Sequence, residues 1–149
     1  MAELQGIVHR IGHEETWPLR LEVLRPHHPL ESVKWDGDEL VTTVHLGALK
    51  DGVIVGIASL FSEARKGTPD PRAWRLRGMA TSPSVRGQGY GAEVLEASIA
   101  WVAQAGGTTL WCNARKEDAG FYQAHGFEIL GDPFTIPEIG PHWVMERKI

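Results

Sequence analysis

The chain has 149 residues, 42% of them hydrophobic and 23% charged, with a formal net charge of −4. This is the composition of a soluble globular protein with enough chain for one cored domain, residues 1–149, and a pI near 6.0 argues against a nucleic-acid partner, which would favour a basic patch. The lone Cys112 excludes an intrachain disulfide framework. No apolar run reaches membrane-spanning length and Met1-Ala2-Glu3 does not open a signal peptide, so a cytoplasmic location and no membrane partner are expected.

Taken in order, Gly6 to Arg10 reads as a short strand. Thr16-Trp17-Pro18 reads as a helix entry, with Leu19, Leu21, Val23 and Leu24 on its apolar face and Pro26 as its stop. His27-His28-Pro29 is a loop, and Leu30 to Asp38 is a polar stretch with a turn at Asp36-Gly37-Asp38. His9 and His13 straddle Gly12 and share no helical face, so no metal site is expected. Leu40–Leu49 and Val53–Phe61 form the clearest hairpin, closed by Asp51-Gly52. His45 lies inside its first strand, where it is read as satisfied by a neighbour. A polar loop, Ser62 to Pro71, leads to a strand from Trp74 to Thr81, broken by Ser82-Pro83-Ser84.

Arg86-Gly87-Gln88-Gly89-Tyr90-Gly91 then opens a helix with Leu95, Ile99 and Val102 on one face and Gly106-Gly107 at its end. Thr108–Asn113 is a strand, Glu117–His125 a short helix capped by Gly126, and Phe127–Leu130 a strand ending in a turn at Gly131-Asp132-Pro133. Pro141 to Glu146 is the last strand. The order, β-α-(short α)-β-β-β-α-β-α-β-β, predicts a mixed α/β sheet with helices on both faces.

A glycine-rich turn at a helix N-terminus offers unhindered amides and the positive end of the helix dipole to an anion such as a pyrophosphate, with Arg86 at its rim. Taken alone, it reads equally as a tight strand-to-helix turn. No Gly-Lys-Ser/Thr follows, which excludes a P-loop, and the glycine spacing is not that of a dinucleotide fold. Arg86-x-x-Gly89-x-Gly91, after a strand ending Gly78-Met79-Ala80-Thr81, resembles the acyl-CoA-binding signature of the GCN5-related N-acetyltransferases (GNAT).

The element order is also similar to that family's, over nearly the whole chain. The resemblance implies a mostly antiparallel sheet with splayed central strands and acetyl-CoA as cosubstrate, bound by Met79, Ala80, Thr81, Arg86, Gly87, Gln88, Gly89, Tyr90 and Gly91. It implies that Asn113 faces the pantetheine arm and that the short helix with Phe121 binds the cofactor and carries Tyr122 next to the CoA sulfur. It implies too that Gly140-Pro141-His142 lies near the acceptor, which makes His142 a catalytic candidate beside Tyr122. The loops from Pro26 to Asp38 and from Gly131 to Gly140 are expected to form the acceptor pocket.

Acyl transfer to an amine sets three tasks. The oxyanion needs fixed donors, for which amides at the Met79 end of the strand are available. The thiolate needs a proton, for which Tyr122 is the candidate. The amine must lose a proton; the resemblance implies a base on the Trp74–Thr81 strand, which holds no carboxylate, so Glu31, His45, His142 or a water chain are the candidates. Cys112 reads as a small buried residue rather than a nucleophile. The expected activity is acetyl transfer from acetyl-CoA to a primary amine of a small molecule or peptide, by direct attack in a ternary complex. A non-catalytic acyl-CoA sensor is the alternative. The protein is expected to be a monomer or homodimer.

Overall fold

The computed structural model describes residues 7–149. Gly6 of the expected first strand, and the Met1-Ala2-Glu3 start, lie outside them. Seven strands form one sheet: β1 (Val8–Ile11), β2 (Val44–Lys50), β3 (Val53–Ser62), β4 (Ala73–Thr81), β5 (Thr109–Arg115), β6 (Glu128–Ile136) and β7 (Gly140–Lys148). Their spatial order is β1-β2-β3-β4-β5-β7-β6. Only β4 and β5 run parallel; every other neighbouring pair is antiparallel. No helix among the described residues is long and apolar enough to cross a membrane.

The helices pack on opposite faces. One is α1 (Trp17–Leu19), which continues through a π turn at Arg20–Leu24 and packs Leu19, Val23 and Leu24 against Ile57 and Ala80. The other face carries α2 (Tyr90–Gln104), which buries Val94, Leu95, Ser98, Ile99 and Val102. Also on that face, α3 (Ala119–Gln123) contributes Ala119 and Tyr122 to the same core. Neighbouring strand residues point to opposite faces, so Ile57 and Ala58 serve different cores.

Asp51 and Gly52 have φ of 51° and 79°, the two positive values a tight hairpin turn between twisted strands requires. The hairpin is shorter than its alternation suggested. Its first strand begins at Val44, because Leu40 and Val41 stand out in solvent before it, 61% and 94% exposed.

Two other expectations are corrected. Gly131-Asp132-Pro133 is not a turn: β6 runs through it, and the register with β7 shifts between Leu130 and Phe134. Such a bulge tolerates Pro133 because β6 is an edge strand. The reversal falls instead at residues 137–139, where Glu138 has φ 68°. Of the helix starting at Trp17, Leu19 and Arg20 are buried while Leu21 and Leu24 are half-buried, and Arg20 is enclosed completely because Asp38 from the supposedly polar loop is buried against it.

The sheet opens in its middle. β4 and β5 pair only at Ala73–Arg75 with Thr109–Trp111, and beyond that they diverge, as expected of splayed central strands. Close to the split, the register of β4 with β3 shifts between Ile57 and Ser59, leaving Gly78 and Met79 without partners on β3. Gly78 carries φ +64°, and a Cβ there would come within 2.8 Å of the Trp35 ring. Only glycine fits both the turn of the chain and the indole lying over it.

Candidate active site

The opening between β4 and β5 leads to two connected spaces. On the α2 side is a groove of about 450 Å³, walled by Met79, Ala80, Thr81, Arg86, Gly91, Phe121 and Tyr122, among others. Beyond it lies a chamber of about 140 Å³, whose walls include Trp35, Arg77, Met79, Asn113, Tyr122 and His142. Leu24, Met79, Arg115, Asp118 and Tyr122 line both, so the two spaces meet around the phenol of Tyr122.

Most of the residues expected from the sequence converge here. Gly87, Gln88, Gly89 and Tyr90 form the turn between Arg86 and Gly91, which line the groove. Gly87 and Gly89 have φ of +80° and +88°, and a Cβ at either would meet nothing within 4 Å, so this turn is open to a ligand. The amides of Gly87, Gly89, Gly91 and Ala92 donate to no carbonyl among the described residues. Here the dipole of α2 and these unpaired N–H groups present one anion-accepting surface. Side chains around the turn are otherwise engaged: Tyr90 packs on the core, and Gln88 accepts from Lys50 at 3.3 Å. Asn113 lines the chamber rather than the groove.

Tyr122 is 9% exposed. Burial first, then the neighbouring Cys112 and Asp118, push its phenol well above its ordinary pKa, so the hydroxyl keeps its proton at neutral pH. The Cys112 thiol is pushed up to about 12, chiefly by burial, which leaves no thiolate to act as nucleophile.

Of the three side chains considered as bases, His142 lines the chamber, while Glu31 and His45 do not. Glu31 pairs with Lys34 at 2.8 Å near the surface. His45 is buried, bonded to the Ser59 hydroxyl at 2.7 Å and the Asp38 carbonyl at 2.9 Å. It is the satisfied strand histidine the sequence suggested. In His142, Nδ1 lies 2.8 Å from the carbonyl of Gly140, which only accepts, so Nδ1 carries a proton and the lone pair of the neutral ring is on Nε2.

Sequence reasoning missed several wall residues. Asp118, at the junction, has its carboxyl pKa raised by partial burial and by Glu117, against the pull of Arg115, Arg86 and His142. Its position four residues before Tyr122 was the available signal. Arg77 and Trp35 come from a strand and a loop that carry no motif, and only the fold brings the Arg77 guanidinium to 4.3 Å from the Trp35 ring centre. The two loops expected to wall the acceptor pocket contribute Trp35, Ile136 and Ile139.

The comparisons with known proteins agree with this fold. Residues 10–127 match the acetyltransferase (GNAT) family. The chain is 37% identical over 142 residues to the uncharacterised N-acetyltransferase YitI of Bacillus subtilis (strain 168), covering 95% of each protein. An acyl-CoA N-acyltransferase from Pseudomonas aeruginosa has the same fold, with a TM-score of 0.74 over 94% of this chain and 97% of its own, at 21% identity. So does an aminoglycoside 6'-N-acetyltransferase solved with coenzyme A, with a TM-score of 0.74 over 96% of this chain and 97% of that one, at 15% identity. The chain therefore belongs to the GNAT family and is an acyl-CoA-dependent N-acetyltransferase.

Proposed function

We propose that residues 1–149 form one catalytic unit that transfers acetyl from acetyl-CoA to a primary amine of a small molecule or peptide, by direct attack in a ternary complex. One observation carries the reading: the groove and the chamber meet at Tyr122, so a donor in one and an acceptor in the other would touch at the only phenol on the shared wall. The unpaired amides of the Gly87–Gly91 turn and the Arg86 guanidinium suit the pyrophosphate of the cofactor. When bound, acetyl-CoA supplies an activated thioester carbonyl.

The chain's own groups would do the rest. Met79, out of register with β3, offers its amide to the carbonyl oxygen as negative charge develops. The amine forms the new C–N bond as the C–S bond breaks, and its proton passes to Asp118 or to Nε2 of His142. Tyr122 gives its proton to the departing thiolate, and its raised pKa keeps that proton in place until then. Asn113, on the part of β5 that has no β4 partner, lines the chamber and would bond only the end of the pantetheine arm that reaches the junction. We place the protein in the cytoplasm as a monomer or homodimer.

The test is thiol release from acetyl-CoA over a panel of amines, beside calorimetry of CoA binding. Amine-dependent release supports the transferase. CoA binding with no release over the panel would support the sensor alternative instead.

A further inference from the structure

The chamber is strongly cationic, although the chain as a whole carries a net charge of −4. Arg25, Arg75, Arg77 and Arg115 line it, against a single carboxylate, Asp118, among the described residues. We propose that the acceptor amine also bears an acidic group, a carboxylate or phosphate, and that Arg77, backed by Arg75, holds that group in the chamber. This rests on the acetyltransferase reading of the chamber.

Arg77 differs from its neighbours in what neutralises it. Arg20, behind the wall, has Asp38 at 2.7 Å. Arg75 has Glu63 at 3.1 Å, and the Nε–H groups of Arg20 and Arg75 are alike enclosed with no acceptor. Arg77 has no carboxylate within ion-pair distance among the described residues, and its guanidinium donates to no acceptor there. It lies instead against two aromatic rings, 4.3 Å from the centre of Trp35 and 5.6 Å from that of Phe61. Contacts of this kind hold a guanidinium through its π face and use none of its N–H donors, which stay available to a ligand.

The cation is uncomfortable as it stands. Burial, then the charges of Arg75 and Arg20, pull its pKa down to about 10. An oxyanion entering the chamber relieves this crowding, whereas a polycationic acceptor adds to it. Arg115 also lines the groove, so its charge is shared with the cofactor side; Arg25, Arg75 and Arg77 line the chamber alone, and Arg25 already donates to the Leu24 carbonyl at 2.9 Å.

Matched acceptors test the proposal: glycine against glycinamide, phosphoethanolamine against ethanolamine, and an aminoglycoside as polycation. Thiol release gives kcat/KM, and calorimetry on the CoA-loaded protein gives binding. The anionic member of a pair is expected to win by about tenfold to a hundredfold, the worth of one charge-assisted contact. The carboxylate and phosphate arms tell which oxyanion fits. Arg77→Gln should erase the preference through KM while CoA affinity, a check on folding, stays unchanged; Arg77→Lys should keep part of it. A preference for the neutral or cationic member overturns the proposal, and so does an anionic preference that survives Arg77→Gln. Loss of CoA binding in the unmodified protein would instead remove the acetyltransferase reading, and titration of the free protein with the same pairs would still read the chamber.

Discussion

Arg20 and Asp38, eighteen residues apart and both buried, meet through two hydrogen bonds of 2.7 and 3.0 Å. Asp38 also accepts from the backbone N–H of Trp35 at 3.0 Å, and Arg20 lies 3.8 Å from the centre of that residue's ring. The pair therefore fixes the indole that covers Gly78 and stacks on Arg77. A buried ion pair at the back of the chamber sets the position of its wall.

Removing one member of the pair leaves the other charged in the core. Arg20→Met should cost about 3–5 kcal/mol of stability. Arg20→Met combined with Asp38→Asn should cost less than the two single changes summed, because neither charge is then stranded. Urea unfolding midpoints measure both. Additive losses would mean that the pair is not coupled.

Acid should weaken the fold in two stages. The His45 ring is held neutral: Nε2 donates to the Asp38 carbonyl, and Nδ1 accepts from Ser59, whose oxygen accepts from Arg20. Burial pulls its pKa below the ordinary 6.5. Its contribution is present above 6.5 and is lost as pH falls through the lower folded value. For Asp38, burial raises the pKa, but the hydrogen bonds and charge of Arg20 outweigh it and hold the carboxyl below its ordinary 3.8, so its contribution is lost only in stronger acid. Melting temperature followed against pH should fall in that order, and His45→Phe should flatten the first stage alone.

The expected elements follow from local chemistry, and so were legible. Alternation, Asp51-Gly52, and the glycines around α2 fix conformations that neighbours along the chain determine. The groove was legible for the same reason, since its turn and helix are one contiguous stretch. The chamber was legible only in part: His142 and the loop holding Trp35 were expected there, but Arg77 and Asp118 come from separate elements that only the fold brings to it. The Leu30–Asp38 stretch read as polar with a turn at Asp36-Gly37-Asp38, and only a partner from α1's extension makes the burial of Asp38 tolerable. The bulge at Gly131 read as a turn because Gly, Asp and Pro serve either purpose, and the long pairing of β6 with β7 decides between them.

The glycine turn is tested by small additions. Gly89 has φ +88°, where an L side chain is strained by roughly 1–2 kcal/mol whatever the space around it. Gly89→Ala should therefore weaken CoA binding by distorting the amide cradle. Arg86→Ala should weaken it by about 1.5–3 kcal/mol through loss of a charge-assisted contact. Calorimetry showing unchanged CoA affinity in both would place the pyrophosphate elsewhere.

The most direct test of the account is the turnover of Tyr122→Phe. The substitution keeps the ring and its packing against Phe127, at 5.5 Å between ring centres, and removes only the proton donor. Acetyl-CoA should bind normally, and turnover with any acceptor found should fall by about 100- to 10,000-fold. An acyl donor with a better leaving thiol should recover part of the loss. Full turnover in Tyr122→Phe, measured where chemistry limits the rate, would make the residue a packing element and contradict the placement of the reaction at the junction of groove and chamber.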